Sequence, residues 1–255
     1  GSAAPAERGQ VVLDLKRMNR ILEVDPDLCF ALVEAGVTYK QLYDYNQEHK
    51  YPLWLSCPAP SAIAGPTGNT LDRGVGYTPY GEHFLFACGM EVVLANGEVL
   101  RTGMGSLPKS NTWQVFKWGY GPYLDGIFTQ SNYGIVTKFG FWLMPAPPAF
   151  KPFVIQYENE DDIVEIVETI RPLRISGVIP NAIVIAHALY EAPTKAKRSD
   201  YVTGPGAITD EAVRQIMKDH KLGVWNVYAA LYGTQEQVDV NWKIVTDAFS
   251  KSGKA

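Results

Sequence analysis

Up to Leu143 the chain is written mainly in short β-branched and aromatic runs, and from Asn159 onward in longer apolar stripes at helical spacing. Val11-Val12-Leu13-Asp14-Leu15 predicts a buried strand. Ile21 to Val24 and Leu28 to Val33 flank Asp25-Pro26-Asp27, a turn signal, and predict a hairpin. After the break at Gly36, Thr38 with Gln41 is a capping box that opens a helix running to about His49. Phe84 to Leu94 reads as a strand. Asn96-Gly97, set between Val92-Val93-Leu94 and Val99-Leu100, predicts a second hairpin. Gly134 to Leu143 alternates Ile135, Thr137, Phe139, Phe141 and Leu143 on one face, the pattern of a further strand.

Pro145, Pro147, Pro148 and Pro152 then predict a stiff, extended connector over 147–152, separating a domain at 1–146 from a second at 153–255. In the second, Phe153, Ile155 and Tyr157 alternate as a strand. Asn159 caps a helix whose first turn, Glu160-Asp161-Asp162, suits the helix dipole. Its stripe is Ile163, Ile166, Val167, Ile170 and Leu173. Ala182 to Ala188 reads as a strand, Pro193 to Gly206 as a loop, and Thr209 as the cap of a helix carrying Val213, Ile216 and Met217. Trp225 to Leu231 reads as a strand. Thr234 and Gln237 form another capping box before the stripe Val238, Trp242, Val245, Phe249. The class is α+β, with helices covering one face of a largely antiparallel sheet.

One stretch fits neither period. Pro58 to His83 holds Gly65, Gly68, Gly74, Gly76 and Gly81 with four prolines, and its charge is confined to Asp72, Arg73 and Glu82. It is too apolar for a solvated linker and too broken for a core strand. Backbone lying close against a ligand and ordinary tight turns both explain it.

Composition narrows the partners. A net charge of −4 argues against nucleic acid and anionic membranes as general partners, and no apolar run approaches the roughly 20 residues of a membrane helix. Cys29, Cys57 and Cys88 stand far apart and His49, His83, His187 and His220 share no ligand spacing, so no metal site is expected. The nucleophile elbow, the Walker loop and the zinc-peptidase helix motif are absent. Gly74-Val75-Gly76-Tyr77 is not a Rossmann fingerprint, because Thr78-Pro79-Tyr80-Gly81 is turn-like rather than helical. A nucleotide bound here would rest on loop amides and small residues. The chain opens on Gly1-Ser2-Ala3-Ala4-Pro5, without Met, and is expected to be a piece of a longer chain or a processed product.

The run Ala59-Pro60-Ser61-Ala62-Ile63-Ala64-Gly65-Pro66-Thr67-Gly68-Asn69-Thr70, followed by Arg73-Gly74-Val75-Gly76-Tyr77-Thr78-Pro79-Tyr80-Gly81, resembles the vanillyl-alcohol oxidase/4-cresol dehydrogenase family of flavoproteins. Gly89 to Gly97, Arg101-Thr102-Gly103-Met104-Gly105 and Thr129 to Lys138 match it too, and the resemblance spans essentially the whole chain. It implies a non-Rossmann, two-subdomain FAD-binding domain of the PCMH type, followed by part of a ferredoxin-like substrate-cap domain. It implies FAD as cofactor and a small para-alkylphenol as substrate, with hydride passing from the benzylic carbon to flavin N5 and a quinone methide left behind. The alternative function is a catalytically inactive folded remnant that serves only in binding or assembly. A c-type cytochrome is a possible electron acceptor, and a homo-oligomer is expected. The location would be periplasmic for a bacterial cytochrome-coupled enzyme and cytoplasmic otherwise.

By the same resemblance, Pro60, Ser61, Gly65, Gly68, Asn69, Gly74, Gly76, Tyr77, Gly134, Ile135 and Val136 contact the cofactor. Val75 and Tyr77 wall the substrate pocket. Tyr77 and Ser61 are the candidates for catalysis, with Pro60 or Ser61 near flavin N5, where the fungal member carries an Asp that this chain lacks. Asp72 and Arg73 read as a local structural pair. The family's glycine-rich pyrophosphate loop, flavin-tethering residue and remaining phenolate clamp have no counterpart in these residues, so the chain is expected to be an internal portion of such an enzyme, inactive in isolation.

Overall fold

The computed structural model describes residues 5, 7–58, 61–251 and 253, and its contacts divide the chain into two units, 1–146 and 147–255. In the first, β1 (Ile21–Asp25) and β2 (Phe30–Glu34) form the expected hairpin. The Asp25 carboxylate closes its turn by accepting from the Asp27 and Leu28 N–H groups at 2.9 and 2.8 Å. Helix α1 (Tyr39–Glu48) starts at the Thr38–Gln41 box, both of whose hydrogen bonds are made, and sends Leu42 into the core. There follow β3 (Leu53–Trp54), α2 (Pro66–Leu71), β4 (Ala87–Leu94), β5 (Val99–Arg101), β6 (Gly134–Trp142) and β7 (Met144–Pro145). The five longer strands make an antiparallel sheet in the order β1-β2-β6-β4-β5, and β3 pairs with β7. Val33, Met90, Val92, Phe139 and Leu143 lie at the centre of its core.

The structure corrects several sequence expectations. Val11 to Leu15 is not a strand: Val11, Val12 and Leu13 are exposed, and among the described residues no strand pairs with them, so their β-propensity meets no ladder. The strand expected from Phe84 begins only at Ala87, after a 3₁₀ turn at His83–Phe86. The Asn96-Gly97 hairpin forms, but only Gly97 is left-handed (φ +85°). Gly97 N–H donates to the Leu94 carbonyl and Leu94 N–H to that of Glu98, giving a three-residue loop rather than a two-residue turn. In β6 the register slips between Lys138, opposite Glu91, and Val136, opposite Val92. Thr137 is the extra residue of a bulge, so Val136 joins Phe139 in the core while Ile135 turns outward.

The second unit runs β8 (Ala149–Tyr157), α3 (Ile163–Ile175), β9 (Val184–His187), α4 (Ala188–Lys195), α5 (Asp210–His220), β10 (Trp225–Gly233) and α6 (Gln235–Phe249). The antiparallel order β8-β10-β9, with α3 linking the two outer strands, is the split arrangement of a ferredoxin-like fold, into which α4 and α5 are inserted. Ile166, Ile170 and Leu173 of α3 share one core with Val238, Val245 and Phe249 of α6 and with Val227 and Leu231 of β10. The connector expected over 147–152 is strand from Ala149 onward, with Pro152 opposite Ala230. An edge strand tolerates a proline because its outward N–H has no ladder partner to lose. Helix α4 likewise extends into the expected Pro193 to Gly206 loop. Among the described residues no helix is long and apolar enough to cross a membrane.

Candidate cofactor cleft

The glycine- and proline-rich stretch is not loop throughout. Pro66, with its ring-fixed φ and no N–H to satisfy, takes the first turn of α2. Asn69 N–H then donates to the Gly65 carbonyl, and Asp72 N–H to that of Gly68. Beyond Leu71 the chain turns through Arg73, left-handed at φ +56°. Its Nε–H donates to Thr129 Oγ1 at 3.0 Å, and its guanidinium lies 4.1 Å from the Phe84 ring centre. The opposing segment has its own left-handed residue, Gln130 at φ +47°. Gln130 N–H donates to the Leu71 carbonyl at 2.9 Å, and its side-chain amide donates to that of Asp72 at 3.2 Å. Two strained turns therefore lock onto each other. Beside them, α2 and its flanks face the segment from Phe128 into β6 across an open cleft of about 760 Å³.

The glycines divide by what surrounds them. A Cβ on Gly68 would meet nothing within 4 Å and would stand in the cleft. Side chains elsewhere would collide with the protein itself: at Gly74 with the Asn69 amide, at Gly76 with Ser56 and His83, at Gly81 with the Gly76 carbonyl, and at Gly134 with Val92. Most of the glycine density serves internal packing, and Gly68 is the position that holds space open for something else.

Of the cofactor positions expected from sequence, Ser61, Gly65, Gly68, Asn69, Gly74, Gly134 and Val136 line this one cleft. Gly76, Tyr77 and Ile135 are not among its lining residues, and Pro60 lies outside the described residues. Val75 and Tyr77, expected at the substrate, are about half exposed and follow α2; Val75 bridges to Glu82. The Ser61 hydroxyl accepts from the Ile63 N–H at 3.2 Å within a local turn. Ser61 and Pro58 also border a second cavity, of about 610 Å³, walled by Tyr39, Tyr43, Trp54 and Leu55.

The sequence gives His83 no ligand spacing, and the structure gives it a place. It is buried, its Nδ1 lies 2.5 Å from Asn69 Oδ1, and burial pushes its pKa down against an opposing influence of the Ser56 backbone. Hydropathy could not flag it, because the contact spans 14 residues. Lys117 and Asp125, both buried, lie apart from the cleft lining; burial pushes the lysine down and the carboxylate up. Among the described residues no group of histidine, cysteine and carboxylates could hold a metal.

The cleft's volume and lining suit the ring of a flavin. Leu71, Phe128 and Val136 offer an apolar wall to a fused ring, Asn69, Gln130 and Ser131 supply neutral polar groups, and Gly68 leaves the approach open. Among the described residues no lysine or arginine lines it, so the lining suits an uncharged ring better than a diphosphate.

Residues 1–103 match the model of the FAD binding domain. The chain is 67% identical over 255 residues to the 4-cresol dehydrogenase [hydroxylating] flavoprotein subunit of Pseudomonas putida, covering 100% of this chain and 49% of that protein. A crystal structure of p-cresol methylhydroxylase with substrate bound superposes with a TM-score of 0.95 at 66% identity, over all of this chain and 50% of that one. The 4-ethylphenol oxidase of Gulosibacter chungangensis, solved as an isoeugenol complex, follows at a TM-score of 0.89 and 43% identity, over 92% of this chain and 45% of that one. The chain thus spans about half the length of these relatives. With a non-Rossmann FAD-binding fold, a ferredoxin-like second unit and this similarity along its whole length, the chain belongs to the vanillyl-alcohol oxidase/4-cresol dehydrogenase family of flavoproteins.

Proposed function

We propose that the intact protein oxidises para-alkylphenols, taking a hydride from the benzylic carbon and leaving a quinone methide that adds water or loses a proton. The observation that carries this reading is the Gly68 cleft, in a chain 67% identical to a named 4-cresol dehydrogenase subunit. FAD, when bound, supplies the hydride acceptor at flavin N5. A phenolate pushes electron density toward its para carbon, so hydride loss there needs no strong base, and what remains for the protein is orientation and exclusion of water. Gly68 admits the ring close to the backbone, and the apolar wall of Leu71, Phe128 and Val136 keeps water from it. Ser61, among the cleft's lining residues, would help to hold the ring, with its hydroxyl kept in place by accepting from the Ile63 N–H. Val75 and Tyr77, on the turn after α2, face the phenol. The name of the Pseudomonas putida relative, a flavoprotein subunit, supports an assembly in which a partner such as a c-type cytochrome takes the electrons, around a homo-oligomeric flavoprotein.

The test is anaerobic mixing of the FAD-loaded intact protein with 4-cresol. Bleaching of the flavin band, with the hydroxylated or dehydrogenated product recovered, is expected. A flavin spectrum unchanged by 4-cresol, 4-ethylphenol and vanillyl alcohol would sink the reading and leave a folded remnant without redox role. Hydrogen peroxide formation on adding oxygen separates an oxidase from a dehydrogenase.

A further inference from the structure

Asn69 is held on two sides. Its amide lies flat against Gly74, where a Cβ would collide with Oδ1, Cγ and Nδ2 alike. Its Oδ1 meets His83 Nδ1 at 2.5 Å. The residue also lines the cleft, and no described residue accepts a hydrogen bond from its Nδ2. Behind it, His83 is 7% exposed, and its second nitrogen, Nε2, is buried with no hydrogen bond. Nε2 abuts the position a Cβ would take on Gly76, so the absence of a side chain there is what admits the imidazole.

These contacts fix the proton. An amide oxygen can only accept, so the ring nitrogen facing Asn69 Oδ1 carries the single proton of the neutral ring and donates it. The low pKa imposed by burial keeps the ring neutral. With Oδ1 occupied, the Asn69 amide cannot flip, and its two Nδ2 hydrogens are the end left for the cleft.

We propose that His83 is a positioning residue: by holding Oδ1 it presents Asn69 Nδ2 as a fixed hydrogen-bond donor to an acceptor atom of the cofactor. The proposal rests on the assignment of the cleft to FAD. It explains why a histidine is buried behind a glycine-lined wall with its Nδ1 committed to Asn69, and why Gly74 and Gly76 flank the asparagine and the histidine.

In the intact protein, His83→Leu is expected to weaken FAD binding about five- to tenfold, the worth of one aligned hydrogen bond. His83→Asn, whose amide N–H falls near the Nδ1 position, should restore most of it. Asn69→Ala should lose as much as His83→Leu, and the double variant no more than Asn69→Ala alone, because the histidine acts through the asparagine. Additive losses, or wild-type affinity in His83→Leu, overturn the proposal. A wild-type protein that binds no FAD overturns the assignment of the cleft, and this proposal with it. Should His83→Leu not fold, ¹⁵N NMR of the histidine-labelled wild-type protein decides. A proton on Nδ1 with bare Nε2 supports the positioning role, and a proton on Nε2 overturns it.

Discussion

Arg73 and Thr129, 56 residues apart in sequence, are joined by a 3.0 Å hydrogen bond from Nε–H to Oγ1 that ties the turn after α2 to the opposite side of the cleft. The same guanidinium stacks on Phe84, so one side chain holds three segments. Thr129 Oγ1 passes the contact on by donating to the Gly126 carbonyl at 2.7 Å. Arg73→Ala is expected to destabilise the first unit by about 1–2 kcal/mol, from one hydrogen bond and one cation–π contact. Arg73→Gly should lose slightly less, because it relieves the left-handed backbone. Urea denaturation of the three proteins checks both; equal stability of wild type and Arg73→Ala would remove the tie from the account.

Gly68 sits in a helix, faces open space and has no left-handed φ to protect. Alanine there should raise stability by about 0.5–1 kcal/mol through helix propensity. It should at the same time weaken FAD binding, because the methyl group occupies the approach to the cleft. Opposite signs in a thermal melt without cofactor and a flavin titration are the expected outcome. Unchanged affinity would place the cofactor elsewhere.

Gly76 predicts the contrary pattern. It is buried against Ser56 and His83, so Gly76→Ala overpacks a closed site and should cost about 1–3 kcal/mol, with the flavin affinity lowered through His83. The denaturation midpoint of the cofactor-free protein measures the first effect without the second.

Glu91 and Asp125 should give pH dependences of opposite sense. Burial alone would raise Glu91, but it is outweighed: Lys138 and Arg101 donate to its carboxylate at 2.9 and 3.0 Å and Thr137 at 3.1 Å, leaving the pKa below the ordinary 4.5. A depressed carboxylate contributes stability that is full above its unfolded value and is lost as pH falls from about 4.5 through the folded one. Asp125, raised by burial from 3.8 despite nearby Thr102, Gly89, Tyr123 and Lys117, contributes stability below that value and loses it as pH rises through its folded pKa. Stability measured from pH 3 to 7 should therefore fall less steeply toward acid in Glu91→Gln than in wild type, and more steeply in Asp125→Asn.

What could be read from sequence was what neighbours in sequence decide. The Thr38–Gln41 and Thr234–Gln237 boxes close over three residues, and the Asp25 turn over two or three, so their signals sit inside a short window. Most of the glycines and the asparagine named for the cofactor do line one cleft, because the family motif carries them as a block. What failed depended on distant partners. The bulge at Thr137 follows from pairing with β4, and no alternation within β6 announces it. Helix α2 was hidden because Gly68 and Asn69 are poor helix formers and Pro66 reads as a breaker unless it stands at the first turn. His83 and Asn69 meet only because the chain between them turns back through Gly74, Gly76 and Gly81.

The place of β6 in the sheet has a kinetic consequence. It lies between β2 and β4, so the β1–β2 and β4–β5 hairpins can each form locally yet share no edge until residues 134–142 arrive. The same strand begins at the cleft with Gly134 and Val136. The last and least local step of sheet assembly is thus also the step that completes the wall of the Gly68 cleft. A core truncation such as Phe139→Ala should slow both together, and a nascent chain ending short of Gly134 carries both hairpins but lacks one wall of the cleft.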